Sequence, residues 1–286
     1  MIRIATYNLL HGMPVLGGMP QPVRDGDGKF VGPPEHTDDT LLRESAAALD
    51  ADVIGLQEVD RHQPRSGGYD QTAVVADALG AGHHLFAPSL IGTPGSSDDW
   101  HPATADDDID PAGDSDTRPM YGVGLVSRLP VLQWRIERFP PARASLPLMI
   151  PGEGRRPRVM TVADEPRSAV IAVIEGPNGP FTVATAHLSF VPVTNGRQLR
   201  ELVRRTRDLP RPFLLFGDFN LPGRWPRRLT GFRSLAAGAT YPTFSPKIQF
   251  DHVLADGLPD EVRTSATVHA LPVSDHCAVS VDIDGL

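Results

Sequence analysis

The sequence predicts an α/β fold of layered sheets and helices, and three observations carry that reading. Short apolar runs rich in β-branched residues recur along the chain with turn residues between them. Helix-period segments sit between some of these runs. The 286 residues show no internal repeat, so strands and helices mixed over the whole length point to layered packing in a single domain, 1–286, rather than independent units.

The expected strands, in order, are "IRIATYNL", "ADVIGLQEV", "GVGLVSR", "SAVIAVIEG", "FTVATAHLS", "PFLLFGDFN", "FDHVLADG" and "CAVSVDI". Their length and β-branched content favour strand over buried helix. "DDTLLRESAAALD" reads as a helix with Asp38 or Asp39 as N-cap, and "TAVVADALG" as one stopped by its glycine. "GRQLRELVRRTRDL" carries apolar residues at 199, 202 and 209 with arginine around the remainder. Long irregular segments are expected near 11–37, 88–118 and 139–160, either as functional loops or as disordered ones. "DGDGKF" at 25–30 lacks the fifth-position carboxylate and sixth-position glycine of an EF-hand loop, which excludes one.

Composition is that of a soluble globular protein, 40% hydrophobic and 22% charged. The net charge of −8 is local, because Ser96 to Thr117 holds eight Asp and no Lys or Arg, and the remainder balances at 27 basic against 27 acidic. That argues against a strongly basic, non-specific nucleic-acid binder but leaves a local basic groove possible. The single cysteine, Cys277, excludes an intrachain disulfide framework. "MIRIATYNLL" does not read as a secretory signal and no run approaches ~18 apolar residues. The expectation is a cytoplasmic protein without a transmembrane segment, a monomer by default.

Polar groups recur where the apolar strands run out. On a two-residue period Ile2, Ile4, Thr6 and Asn8 share a face, with Asn8 last. Other strands end in Gln57-Glu58, in His187, and in Asp218 with Asn220, which point the same way if the chain stays extended. Any one of these is also readable as a polar residue meeting solvent, and "GDFNLPG" or "SDH" as a turn. Four ends with different members of an Asn/Glu/His/Asp set point to a site on the rim of a sheet, where rigid strands fix geometry. Adjacent residues on a strand face opposite sides, so Asp275 is not expected to orient His276. Asp251 is the candidate partner, fixing the imidazole's tautomer and raising its basicity.

The ordered blocks "TYNLLHG", "LQEV", "YGVGLVSR", "AHLS", "GDFN", "FDHVLA" and "SDH" resemble the endonuclease/exonuclease/phosphatase superfamily from Ile2 to about Ile283. The resemblance implies a four-layer α/β/β/α sandwich with its site at one end of two sheets. It implies Glu58 as the main metal carboxylate with Asn8 beside it, and Asp275 as a further, water-mediated contact. Asp218 would position the attacking water, Asn220 hold a phosphate oxygen, and His276 act as the histidine oriented by Asp251. His187 matches a second histidine of the deoxyribonuclease and sphingomyelinase branches, which contacts the phosphate or protonates the leaving oxygen and differs in abasic-site endonucleases. Tyr121 and Arg167 fall where a substrate contact is possible, with a surface arginine as the plain alternative for Arg167.

Phosphoester hydrolysis needs neutralised non-bridging oxygens, an activated water and help for the leaving oxygen. Hard oxygen donors without cysteine suit Mg²⁺ or Mn²⁺. "LPGRWPRRLTGFR" offers Arg224, Trp225, Arg227, Arg228 and Arg233 for a lipid head group, an inositol phosphate or a nucleic-acid strand. The Asp-rich segment would repel a polyanion if it lay over the site, so a small or lipid-like phosphoester is expected before duplex DNA. Loss of any one of Asn8, Glu58, His187, Asp218, Asn220, Asp251 and His276 would instead favour a non-catalytic binding protein, and none is lost.

Overall fold

In a computed structural model, residues 1–16, 19–20, 23–24, 30–32, 36, 38–94, 100–109, 116–143, 145–150 and 158–286 are described. Strand β1 (Ile2–Asn8) is followed by two short hairpins, β2 (Val15–Leu16) with β3 (Met19–Pro20) and β4 (Val23–Arg24) with β5 (Phe30–Gly32). Helix α1 (Thr40–Leu49), β6 (Val53–Arg61), α2 (Gln71–Leu79), β7 (His83–Gly92), β8 (Trp100–Pro102) and β9 (Met120–Ser127) come next. Then follow β10 (Val131–Phe139), the hairpin β11 (Ser145–Ile150) with β12 (Arg158–Ala163), β13 (Arg167–Gly176) and β14 (Gly179–His187). The chain continues through α3 (Thr194–Arg205), β15 (Phe213–Asp218), α4 (Trp225–Thr230) and β16 (Arg233–Ser234) to β17 (Asp251–Asp256), β18 (Thr264–His269) and β19 (Ala278–Ile283).

Two mixed sheets form a sandwich: a seven-stranded sheet ordered β18-β19-β1-β6-β9-β7-β8 and a six-stranded sheet ordered β10-β13-β14-β15-β17-β16. Between them Ile2, Ile4, Val53 and Leu125 pack against Val170, Val183, Phe216 and Val253. The opposite face of the first sheet, through Ala5, Tyr7 and Leu56, meets Leu42, Leu49 and Val75 of α1 and α2. The opposite face of the second, through Ala184, Phe213 and Leu215, meets Leu199 and Leu202 of α3. Successive strand residues thus feed two different cores, which is why these strands read as continuous apolar runs.

Three expectations change. The segments near 11–37, 88–118 and 139–160 are not wholly irregular, since they hold β2 to β5, the end of β7 with β8, and the β11–β12 hairpin. "WPRRLT", which is not among the expected helices, is helix α4, with Pro226 in its first turn, where a proline costs no hydrogen bond. Asp39 makes no side-chain cap on α1, while Asp38 Oδ1 accepts from the Thr40 N–H at 2.9 Å. Most of "DGDGKF", and Asp98, Asp99, Asp110 and Asp114 of the acidic segment, lie outside the described residues. Among those described, Asp107 and Asp116 pair with Arg118, and Asp108 with Arg138.

Candidate active site

Parallel β14 and β15 and antiparallel β17 place His187, Asp218 and Asp251 in one cross-strand row at one end of the second sheet. Asn8 ends β1 on the facing sheet, in register with Gln57 of β6. A polar bridge fixes the gap behind this row: Thr6 Oγ1 donates to Gln57 Oε1 at 3.1 Å, and Gln57 Nε2 donates to Thr185 Oγ1 at 2.8 Å. Asn8 makes the next bridge. Its Nδ2 donates to Glu58 Oε1 at 2.9 Å and to Asp218 Oδ2 at 3.1 Å, while its Oδ1 accepts from the Leu10 N–H at 3.0 Å.

Glu58 does not sit where β6 runs out, because the strand continues to Arg61. The pairing with β9 instead slips between Leu56 and Val59, and Glu58 takes φ 54°. A bulge re-aims one side chain without ending the strand, at the cost of a strained backbone for a non-glycine residue. "DFN" likewise does not stay extended. Asn220 has φ 49°, and its N–H donates to Asp218 Oδ1 at 2.9 Å, the turn that Asp and Asn favour. Asn220 Nδ2 consequently reaches His187 Nε2 at 3.2 Å and the Leu188 carbonyl at 2.9 Å.

Asp218 is the hub. Nε2 of His187 and Nε2 of His276 each lie 3.8 Å from its Oδ2. His276 Nδ1 is 2.9 Å from Asp251 Oδ2, a pair buried on both sides. Residues 274–276 are not strand: Ser274 has φ 73° and its Oγ accepts from the His276 N–H at 3.0 Å. The opposed-faces expectation for Asp275 and His276 therefore lapses, although Asp251 rather than Asp275 faces the imidazole.

Arg167 is 5% exposed, so the surface-arginine alternative is excluded. Its Nη1 lies 3.2 Å from His187 Nδ1 and 3.4 Å from Nε2, and its Nη2 lies 3.7 Å from Asp164 Oδ1. Tyr121 is buried on β9, with the Arg65 guanidinium 5.8 Å from its ring centre. Arg65 is itself forked onto the fully buried Asp60 at 2.8 and 2.7 Å. Sequence reasoning passed over Arg65 and Asp60, and also Tyr241, whose ring centre is 4.9 Å from that of His276. Arg224 and Trp225 are exposed at the start of α4 and take no part in the cluster's hydrogen bonds.

The electrostatics sort these groups. Burial raises Glu58, partly offset by the Asn8 hydrogen bond, and burial raises Asp218 against the pull of His276. Burial likewise brings Asp275 up to about 6 despite His276. At His276 burial opposes the cation, yet Asp251, Asp218 and Asp275 outweigh it and lift the imidazole to about 10. His187 goes the other way: burial first, then Arg167 and His276, hold it neutral. Two histidines across one carboxylate thus have opposite preferences, which is how proton-transfer and binding roles separate.

Carboxylates raised by burial describe an acidic site short of positive charge, the donor chemistry that fits a hard divalent ion. Asp251 Oδ1 is buried without a hydrogen-bond partner among the described residues. One ligand atom each from Asp218, Asp251 and His276 lie within 4.8 Å of one another.

Solved structures share this architecture. An endonuclease/exonuclease/phosphatase from Beutenbergia cavernae aligns at TM-score 0.61 and 18% identity, over 99% of this chain and 71% of that one. A mannosyl-6-phosphatase from Bacteroides thetaiotaomicron aligns at 0.55 and 14%, over 99% of both chains. The human Nocturnin catalytic domain, with a bound sulfate, aligns at 0.53 and 15%, over 99% of this chain and 94% of that one. These likenesses establish the fold. No curated protein matches the sequence. The profile of the Endonuclease/Exonuclease/phosphatase family matches residues 5–276, and the chain belongs to that family of phosphoester hydrolases.

Proposed function

We propose that the protein is a divalent-metal-dependent phosphoester hydrolase acting on a small or lipid-like phosphoester. The observation that supports it most is the convergence of Asn8, His187, Asn220 and His276 on Asp218, with His276 held by Asp251. A carboxylate between two imidazoles is placed to orient a water, and an imidazole backed by a buried carboxylate to exchange its proton.

Glu58 would hold Mg²⁺ or Mn²⁺, with Asp275 as an outer partner. The ion at the Asp218–Asp251–His276 group is disfavoured because His276 and Asp251 already share a hydrogen bond. When bound, the ion supplies charge neutralisation for the phosphate and an acidified water. Asn8 turns its Nδ2 toward Glu58 and Asp218, which suits it to hold the two carboxylates apart and aimed. His187, kept neutral beside Arg167, is suited to hydrogen-bond a phosphate oxygen rather than to act as the acid. Asn220 and Arg167 supply further donors for that phosphate, and Tyr121 lines the same corner. His276, cationic at rest, is suited to stabilise and protonate a departing oxygen.

The nuclease reading is favoured by one observation, the exposed arginines and Trp225 that follow the Asp218 turn. A substrate panel decides between them: bis-p-nitrophenyl phosphate, p-nitrophenyl phosphate, inositol phosphates, sphingomyelin, RNA and plasmid DNA, each with Mn²⁺, Mg²⁺ or EDTA. Metal-dependent turnover of the small or lipid esters is expected. Cleavage confined to nucleic acid would favour the alternative, and no metal-dependent turnover would refute both.

A further inference from the structure

The loops that leave the row of His187, Asp218 and Asp251 share one end of the second sheet. Two follow the C-terminal ends of parallel β14 and β15, and the third enters β17 from the same side. They are stitched together: Asn195 Nδ2 donates to the Asn220 carbonyl at 2.9 Å, and the Gly223 N–H to the Gln249 carbonyl at 3.0 Å. The rim at the mouth of the site is therefore one continuous ledge.

That ledge exposes large apolar side chains from the first and third loops and from the start of α4. Val193 is 67% exposed, Trp225 51%, Phe244 53% and Ile248 39%. They make up four of the eight large apolar side chains that are exposed among the described residues. Val193 also holds φ 72°, a conformation a β-branched residue rarely adopts, without burying its side chain.

The same ledge is cationic in an acidic protein. From Phe219 to Phe250 the sequence contains Arg224, Arg227, Arg228, Arg233 and Lys247 and not one Asp or Glu. Arg233 pairs with Ala255 toward the far end of β17, so the ledge itself carries Arg224, Arg227, Arg228 and Lys247. Arg227, Arg228 and Lys247 are exposed, and the Arg228 guanidinium lies 5.7 Å from the Trp225 ring centre.

We propose that this ledge docks the protein on an anionic lipid surface and presents a head-group phosphoester to the site. Apolar loop tips interleaved with arginine and lysine suit the interface of a bilayer, where tips enter the acyl boundary and cations meet anionic head groups. Two of the four tips, Val193 and Ile248, are aliphatic and offer no face for base stacking, which favours lipid over a nucleic-acid strand. The docking stands on the ledge alone; the head-group substrate rests on the hydrolase reading above.

Co-sedimentation with vesicles tests it without turnover. The full chain is mixed in EDTA with phosphatidylcholine vesicles, with or without 30% phosphatidylserine, and with a single-stranded oligonucleotide. Binding to the phosphatidylserine vesicles is expected, at least fivefold weaker with phosphatidylcholine alone. A Phe244→Ser/Ile248→Ser variant and an Arg227→Gln/Arg228→Gln variant should each lose at least fivefold in bound fraction. Both should keep wild-type melting temperature, and the Phe244→Ser/Ile248→Ser variant should keep wild-type turnover of soluble bis-p-nitrophenyl phosphate. No vesicle binding, binding that survives both variants, or retention by the oligonucleotide instead would overturn the proposal. Because sedimentation is read apart from hydrolysis, docking without turnover removes the hydrolase reading, and turnover without docking removes only this one.

Discussion

Asn8 spends all of its hydrogen-bonding reach on order: one oxygen closes the turn at Leu10, and one nitrogen spans carboxylates on two sheets. Asp251 orients His276 through Oδ2 alone. Asp251→Asn keeps the shape but removes the charge that lifts the imidazole. A fall in kcat of about 10²-fold or more, with KM nearly constant, is expected from steady-state kinetics, by analogy with carboxylates that orient catalytic histidines. At Glu58 the expected signature differs. Glu58→Gln should raise the metal concentration needed for half-maximal rate at least tenfold, read from a Mn²⁺ titration, while Asp251→Asn should leave it unchanged.

Among the elements, what could be read in advance mostly followed from burial. The exception is β7, which is interior to its sheet and buried from Leu85 to Ile91 but was missed because Pro88 and Ser89 interrupt its apolar run. Strands such as β14 and β15 are apolar on both faces, so their runs stand out, and the polar residue that ends each is conspicuous. Strands β10 and β18 were missed because they are edge strands, and Arg135, Glu137, Thr264 and Thr267 break the apolar run. The bulge at Glu58 left no trace in the pattern, since φ is not written in hydropathy. The Asp60–Arg65 fork escaped for a similar reason: it depends on a short turn at Pro64–Ser66 that folds an arginine back on its strand. Gly55 shows how tightly β6 is held against the other sheet. A Cβ there would meet Thr185 Oγ1 at 2.2 Å and the Phe216 ring at 2.6 Å. Gly55→Ala should cost about 1–3 kcal/mol by overpacking, seen as a lower melting temperature.

Across the whole molecule, buried histidines tie stability to pH. Burial, then Arg65 and His36, push His11 down to about 2. Its folded pKa lies below the unfolded value near 6.5, so the unfolded chain binds the extra proton between those limits. Stability from His11 is therefore complete above about pH 6.5 and is lost as pH falls. Burial raises Asp275 to about 6, which works in the opposite sense, and only a difference measurement isolates the histidine. Relative to His11→Gln, the wild type should lose up to about 1.4 kcal/mol per pH unit between pH 6 and 4 in urea unfolding. Equal slopes would show that His11 does not titrate with folding.

The central claim is that one metal-dependent site, built on Glu58 and the Asp251–His276 pair, hydrolyses a phosphoester. Hydrolysis of bis-p-nitrophenyl phosphate in saturating Mn²⁺ tests it most directly, comparing wild type, wild type with EDTA, Glu58→Ala and His276→Ala. The account predicts turnover by the wild type alone and background rates in the other three. Wild-type rates in either variant, or activity indifferent to EDTA, would contradict it.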